Sequence, residues 1–218
     1  VEIGSDVTNV SVFAAGMLLG LRSIPMGSGD ITDAVASAFG IRRFQAERLK
    51  CVSGSAIATP TDHREMIAVN GPGEEPGGPL ARGADEQNRI ARAELVAIVT
   101  DRLGVATVEI GKALKSMGFT GAQGGQVVLT GGGAELHGVA EFMQGALGRP
   151  VRIGKPPALQ GLPEAHATPG FATLAGLCLY AADDPVDIRS VGPRYQPTNR
   201  YRGIGLVNRV FQAVREYF

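Results

Sequence analysis

The sequence predicts an α/β fold, and three observations predict it. The stretch Gln126 to Ala134, Q-V-V-L-T-G-G-G-A, carries an apolar β-branched run into three glycines, and an amphipathic stretch from Glu135 to Leu147 follows. Val10 and Val12 alternate with Ser11 and Phe13, the two-residue period of a half-buried strand. Between Ile90 and Met117, the residues Leu95, Ile98, Val99, Arg102, Ala106, Ile110, Ala113, Leu114 and Met117 recur at helical spacing. Strand, glycine turn and helix in that order bring bare backbone against a ligand. Glycine permits close approach and positive φ, and the first amides of the next helix lack a partner within it. An ordinary tight turn would carry the same glycines, so the other positions must add the weight.

Composition narrows the classes. The chain has 218 residues, 21 basic and 21 acidic, and 44% hydrophobic residues, enough for one sizeable core or two small lobes. Neutral charge argues against a nucleic-acid partner. Cys51 and Cys178 lie in apolar helical contexts and form no metal-ligand pattern, so buried free thiols in a reducing compartment are expected. No apolar run approaches the roughly 20 residues that span a bilayer, and no signal peptide precedes the first strand. The chain opens at Val1 inside a strand pattern, which suggests a fragment lacking its N-terminal part.

Val1 to Phe13 and Met17 to Ser23 read as a hairpin with Ala15-Gly16 as its turn, the first strand being interrupted at Gly4-Ser5-Asp6. That interruption is either an ordinary turn or a phosphate-facing one lined by small residues and Thr8. After the loop Gly27-Ser28-Gly29, Asp30 is expected to N-cap a helix that Gly40 ends. A second helix covers Arg43 to Cys51, with Phe44, Leu49 and Val52 available for packing. Glu47 and Lys50 share one of its faces, which a surface ion pair would explain. Ile67 to Val69 is a short strand, and the Gly-, Pro- and Glu-rich run after it reads as a mobile loop. A long helix from Ile90 to Met117 follows, weakened by Gly104 and Gly111 and stopped by Gly118. Val151 to Ile153 is a strand, Lys155 to Pro169 a Pro-rich loop, and Gly170 to Ala182 a small-residue helix.

In the last 15 residues, Leu206, Val207, Val210, Phe211, Val214, Tyr217 and Phe218 fall on one helical face. Asn208, Arg209, Gln212, Arg215 and Glu216 fall on the other. A terminal helix packed on its own domain is one reading. The position after a polar linker, the aromatics at the tip and the basic polar face favour an interfacial membrane anchor, with Arg215 facing anionic lipid.

Taken together, these turns resemble the second half of an actin-superfamily ATPase, and within it the FtsA family of bacterial cell-division proteins. V-E-I-G-S-D-V-T-N is similar to the second phosphate motif, Asp-x-Gly-Gly-Gly-Thr-Thr-Asp. Gly29-Asp30-Ile31-Thr32-Asp33 is similar to the Gly-x-Asp-(Leu/Ile)-Thr loop, Glu47 and Lys50 to the Glu-x-x-Lys pair that contacts adenosine, and Leu129 to Ala134 to the adenosine motif. Ile24-Pro25, Ala46 to Lys50, V-L-T-G-G-G-A-E-L-H-G, Val151 to Gly154 and F-A-T-L-A-G-L-C-L-Y-A-A favour FtsA.

The resemblance implies an actin-like, ribonuclease H-like subdomain 2A (1–39 and 92–182) and an inserted smaller α/β subdomain 2B (40–91). A linker (183–203) and the amphipathic helix (204–218) would follow. It implies ATP, with Mg2+ in the full-length protein, held by Gly4, Ser5, Thr8, Gly27, Gly29, Asp30, Glu47, Lys50, Gly131, Gly132, Gly133 and Ala134. The N-terminal half of the cleft would lie upstream. It implies a scaffold that takes the tail of the division protein FtsZ on 2B, assembles into filaments and sits on the cytoplasmic face of the inner membrane at the septum. Glu2, Ser5, Asp6 and Asn9 depart from the phosphate motif, so hydrolysis is expected to be weak or absent, and no catalytic or metal-ligating residue is assigned. A pilus-assembly adaptor, a sugar kinase or another ATPase of the same fold is the alternative.

Overall fold

The computed structural model describes residues 1–69, 89–120, 125–157, 161 and 163–183. The Gly- and Pro-rich run after Val69, the linker beyond 183 and the helix at 204–218 lie outside the described residues. The chain divides into two units, Val1–Leu179 and Tyr180–Phe218.

Within Val1–Leu179, β1 (Glu2–Ile3), β2 (Thr8–Ala14) and β3 (Met17–Ile24) form an antiparallel sheet in that order. Ala15 and Gly16, both with positive φ, make the two-residue turn that matches strand twist. Thr8, Val10 and Val12 are buried on one face of β2, while Phe13 on the other is exposed. β6 (Val127–Leu129) and β7 (Val151–Ile153) pair in parallel. They join the first sheet at β1, where the Val1 nitrogen donates to Val128 (2.7 Å). The amide of Thr130 donates to Val1 (2.9 Å) and that of Ile3 to Thr130 (2.8 Å). The order β3-β2-β1-β6-β7 therefore places the start of the glycine turn beside the β1–β2 loop.

Helices α1 (Ser28–Phe39) and α2 (Arg43–Ser53) lie in the chain between the hairpin and the short antiparallel pair β4 (Met66–Ala68) and β5 (Arg89–Ala91). Then come α3 (Arg92–Ser116), α4 (Val139–Leu147) and α5 (Ala172–Ala182). Two hydrophobic clusters result. One holds Val10, Val12, Leu103, Ile110, Leu129 and Met143 around the sheet. The other holds Ile31, Val35, Ile41, Ala46, Leu95 and Val99 among the first three helices. The single helix α3 contributes to both.

Several expectations are corrected. Gly27, not Asp30, caps α1; Asp30 stands three residues in, and its carboxylate accepts the Gly27 amide at 2.7 Å. Ile90 belongs to β5, because pairing with Ile67 takes it out of the helical pattern. The stretch from Glu135 is not one helix: a 3-10 turn at Gly132–Glu135 precedes α4, and Gly138, with φ +76°, separates them. Phe44 and Val52 point outward, at 57% and 77% exposure. Cys51 and Cys178 are both exposed rather than buried.

The entry to α3 is tied down by a buried carboxylate. Asp62 accepts the Thr59 amide (2.7 Å), the Thr59 hydroxyl (2.6 Å) and an Arg92 N–H (2.7 Å), and Arg92 Nε also donates to the Ser53 carbonyl (3.1 Å). The Thr59 bonds first, and then the Arg92 charge, hold the Asp62 carboxyl below its ordinary pKa against the opposing effect of burial. A depressed carboxyl stabilises the fold above its unfolded pKa, near 4, and that contribution disappears as pH falls through the lower folded value. Asp62→Asn should therefore lower stability at neutral pH and flatten its acid limb, measured by urea unfolding between pH 2 and 7. At Gly104, an added Cβ meets nothing within 4 Å, so Gly104→Ala should stabilise by about 1 kcal/mol in the same assay.

Candidate functional site

The two clusters leave a cleft of about 410 Å³ between them. Of the residues singled out from sequence, Ser5, Thr8, Gly27, Asp30, Glu47, Lys50, Gly132 and Gly133 line it. Gly4, Gly29, Gly131 and Ala134 stand behind the wall and shape it.

The β1–β2 loop is laced to the start of α1. Amides of Ser28 and Gly29 donate to the carbonyls of Gly4 (2.9 Å) and Ser5 (2.7 Å), and Thr8 Oγ1 donates to the Met26 carbonyl (2.8 Å). A Cβ at Gly27 would stand 2.2 Å from the Ser5 oxygen, which is why this crossing needs glycine. The first amides of α1 are thereby occupied by protein. Asp6 is exposed and does not line the cleft; the Ser5 hydroxyl lies 3.4 Å from its carboxylate.

On α2, Lys50 is 7% exposed and donates to the Ser28 carbonyl (3.1 Å), Thr32 Oγ1 (2.9 Å) and Glu47 Oε2 (2.8 Å). Thr32 Oγ1 also donates to Glu47. Partial burial pushes the Glu47 carboxyl up, but the bonds from Lys50 and Thr32 and the Lys50 charge outweigh it, and the group sits below its ordinary pKa. Glu47 is therefore an anion held in place, half exposed to the cleft. More than a surface ion pair, it is the outer end of a buried polar cluster. Beside it, Cys51 Sγ lies 3.4 Å from Glu47; partial burial first, then Glu47, raises the thiol pKa.

The opposite wall is the glycine turn. Gly131, with φ +86°, follows β6, and its amide donates to the Pro169 carbonyl (3.0 Å). The turn's opening amides, Gly132 and Gly133, have no partner within it. Each glycine does a different job. A Cβ on Gly133 would lie 2.3 Å from Ile3 Cγ2, whereas one on Gly132 would meet nothing within 4 Å. Gly133 serves packing against β1, and Gly132 keeps space open at the cleft.

Sequence reasoning did not count Cys51, Glu135 and Arg102 as site residues, though they line the cleft, and it placed Thr32 in the Gly-x-Asp-(Leu/Ile)-Thr motif without assigning it the contact with Lys50. Cys51 carried no distinct signal. Arg102 did carry one, as a lone cation in an otherwise apolar helical stripe.

Comparison with known proteins decides the family. The family model described as "Cell division protein FtsA" matches residues 1–176. The chain belongs to the FtsA family. FtsA of Agrobacterium fabrum is 34% identical over the whole chain, 47% of that relative being covered. FtsA of Escherichia coli K12 is 28% identical over 84% of the chain and 43% of its own length. The chain thus spans about half the length of the FtsA proteins it matches. MreB5 of Spiroplasma citri, solved with AMPPNP, has the same actin-like fold: TM-score 0.60, 14% identity, 84% of this chain and 52% of that one. A PilM–PilN type IV pilus biogenesis complex aligns with TM-score 0.55 and 19% identity over 82% of this chain and 44% of that one.

Within this FtsA chain, Gly133→Ala should destabilise by about 1–3 kcal/mol, because the added methyl overpacks against Ile3. Gly132→Ala should change stability far less, its backbone φ not being in the left-handed region. Paired thermal melts of the two variants check the contrast.

Proposed function

We propose that this FtsA chain contributes the adenosine side of an ATP cleft to a division scaffold that ties FtsZ to the membrane. One observation carries the reading. Asp30 in the first turn of α1, Glu47 on α2 and the open face at Gly132 come from three distant segments and converge on one cleft. Adenosine would lie against Glu47 and the Gly131–Ala134 turn, with Lys50 behind Glu47, and the phosphates would point toward Ser5, Thr8 and Gly27. Gly4 and Gly29 would act by shaping that end. The unfilled space above Gly132 and the anchored carboxylate fit a nucleoside. Mg2+ would arrive on the phosphates, since no three His, Cys, Asp or Glu side chains cluster for a metal among the described residues. The Glu2, Ser5, Asp6 and Asn9 departures favour slow turnover.

The FtsZ tail would dock on the 40–91 region. A second groove of about 520 Å³ there, lined by Phe44, Arg48, Leu49, Val52 and Ile67, supports it. The amphipathic residues Leu206, Val207, Val210, Phe211, Val214, Arg215, Tyr217 and Phe218 would anchor the protein to anionic lipid on the cytoplasmic face of the inner membrane at the septum. Among the described residues, no helix is long and apolar enough to cross a membrane. Filament formation by self-association belongs to the same proposal.

Two measurements test it. In the full-length protein, Gly132→Arg should abolish ATP binding while Glu47→Ala weakens it by only about 1 kcal/mol, the loss of a hydrogen-bond partner. ATP affinity unchanged by Gly132→Arg removes the turn from the site. In co-sedimentation with anionic liposomes, Phe211→Glu should release the protein by placing a charge on the apolar face. Arg215→Glu should weaken binding and reduce its salt dependence. A deletion from Gly205 onward that still binds lipid as the parent does ends the anchoring proposal.

A further inference from the structure

Among the described residues, two cations line the cleft, Lys50 and Arg102, and their situations are opposite. An ammonium has three donors, and Lys50 has three acceptors around it: the Ser28 carbonyl, Thr32 Oγ1 and Glu47 Oε2, at 2.8–3.1 Å. At 7% exposure it has no donor left for a ligand. Arg102, on the facing wall of α3, is half exposed. Its Nε lies 3.7 Å from the Asp101 carboxylate, longer than a hydrogen bond, and successive residues on a helix do not face each other. Its terminal nitrogens have no acceptor among the described residues. Among the described residues, each of the three carboxylates lining the cleft already accepts a hydrogen bond within the protein. Asp30 takes the Gly27 amide (2.7 Å), Glu135 the Gly170 amide (3.0 Å), and Glu47 the Lys50 and Thr32 donors.

We propose that Arg102 is the cation that meets the phosphates of a nucleoside triphosphate in this cleft, while Lys50 acts only by positioning Glu47. The inference rests on the nucleotide reading above. Its physical basis is donor availability. A guanidinium presents a planar fork of N–H groups that matches phosphate oxygens and keeps its charge at any relevant pH. Leu103, buried next to it, anchors this turn of α3 in the core, so the fork projects from a rigid base. No rearrangement of the Lys50 cluster is needed to bring a positive charge to the ligand.

The test is calorimetric titration of the intact protein with adenosine, ADP and ATP, each with Mg2+. Arg102→Ala should lower ATP affinity about tenfold, the effect of losing a charge-assisted bond. It should leave adenosine affinity unchanged, and Arg102→Lys should recover part of the loss. Lys50→Met should lower adenosine and ATP affinity together, because it acts through Glu47. If the parent binds both ligands and Arg102→Ala is indistinguishable from it, this inference fails and the nucleotide reading stands. Equal losses for adenosine and ATP in Arg102→Ala would also overturn it, as the sign of a structural role. A parent that binds neither ligand overturns both proposals.

Discussion

The burial of one helix in two cores is the constraint on which this structure depends. α3 contributes Leu95 and Val99 to the cluster formed with α1 and α2, and Leu103, Ile110 and Leu114 to the cluster on the sheet. Each large apolar side chain so buried is worth roughly 1.5–3 kcal/mol, and α3 supplies such side chains to both clusters. The cleft is the gap between the two clusters. Its width is set by a continuous rod of hydrogen-bonded backbone rather than by a loop. The Asp62–Arg92 tie fixes where that rod begins, and Gly118, with φ +81°, follows its end.

Polar order inside the cleft follows from the same packing. Lys50 is buried, and a buried charge is tolerated only when its donors are met. Thr32, Ser28 and Glu47 meet them, and in doing so they bind α1 to α2 and aim one carboxylate outward. The loop after β1 gives its carbonyls to the first amides of α1, so that helix end is already neutralised by backbone. Among the described residues, the amides of Gly132 and Gly133 and the terminal nitrogens of Arg102 are cleft donors with no acceptor in the protein, beside the outward Glu47 carboxylate.

The departures from the phosphate motif form a structure of their own. Glu2 and Asn9 face each other across β1 and β2, and the Asn9 amide donates to Glu2 at 2.7 Å. Ser23 on β3 donates to Asn9 at 2.7 Å, extending the ladder over three strands. Two acidic side chains at these paired positions would repel each other. The Glu–Asn pair removes that repulsion and also occupies the Glu2 carboxylate.

The sequence by itself determined the local elements and the family. Period-two alternation located β2, helical spacing located α3, and glycine after a β-branched run located the turn at Thr130, because these patterns reflect backbone geometry within a few residues. The motif order carried the resemblance that the FtsA match supports. Tertiary structure alone decided the rest. Strand pairing with Ile67 took Ile90 from the helix, and the packing of α2 left Phe44, Val52 and Cys51 exposed. Contact with Ile3 separated the roles of Gly132 and Gly133. The occupancy of Lys50 and the freedom of Arg102 depend on atoms 18 to 52 positions apart in the chain, from Thr32 to Lys50 and from Lys50 to Arg102. No local pattern reports a hydrogen bond made across that distance, since it exists only after two cores have brought three helices together.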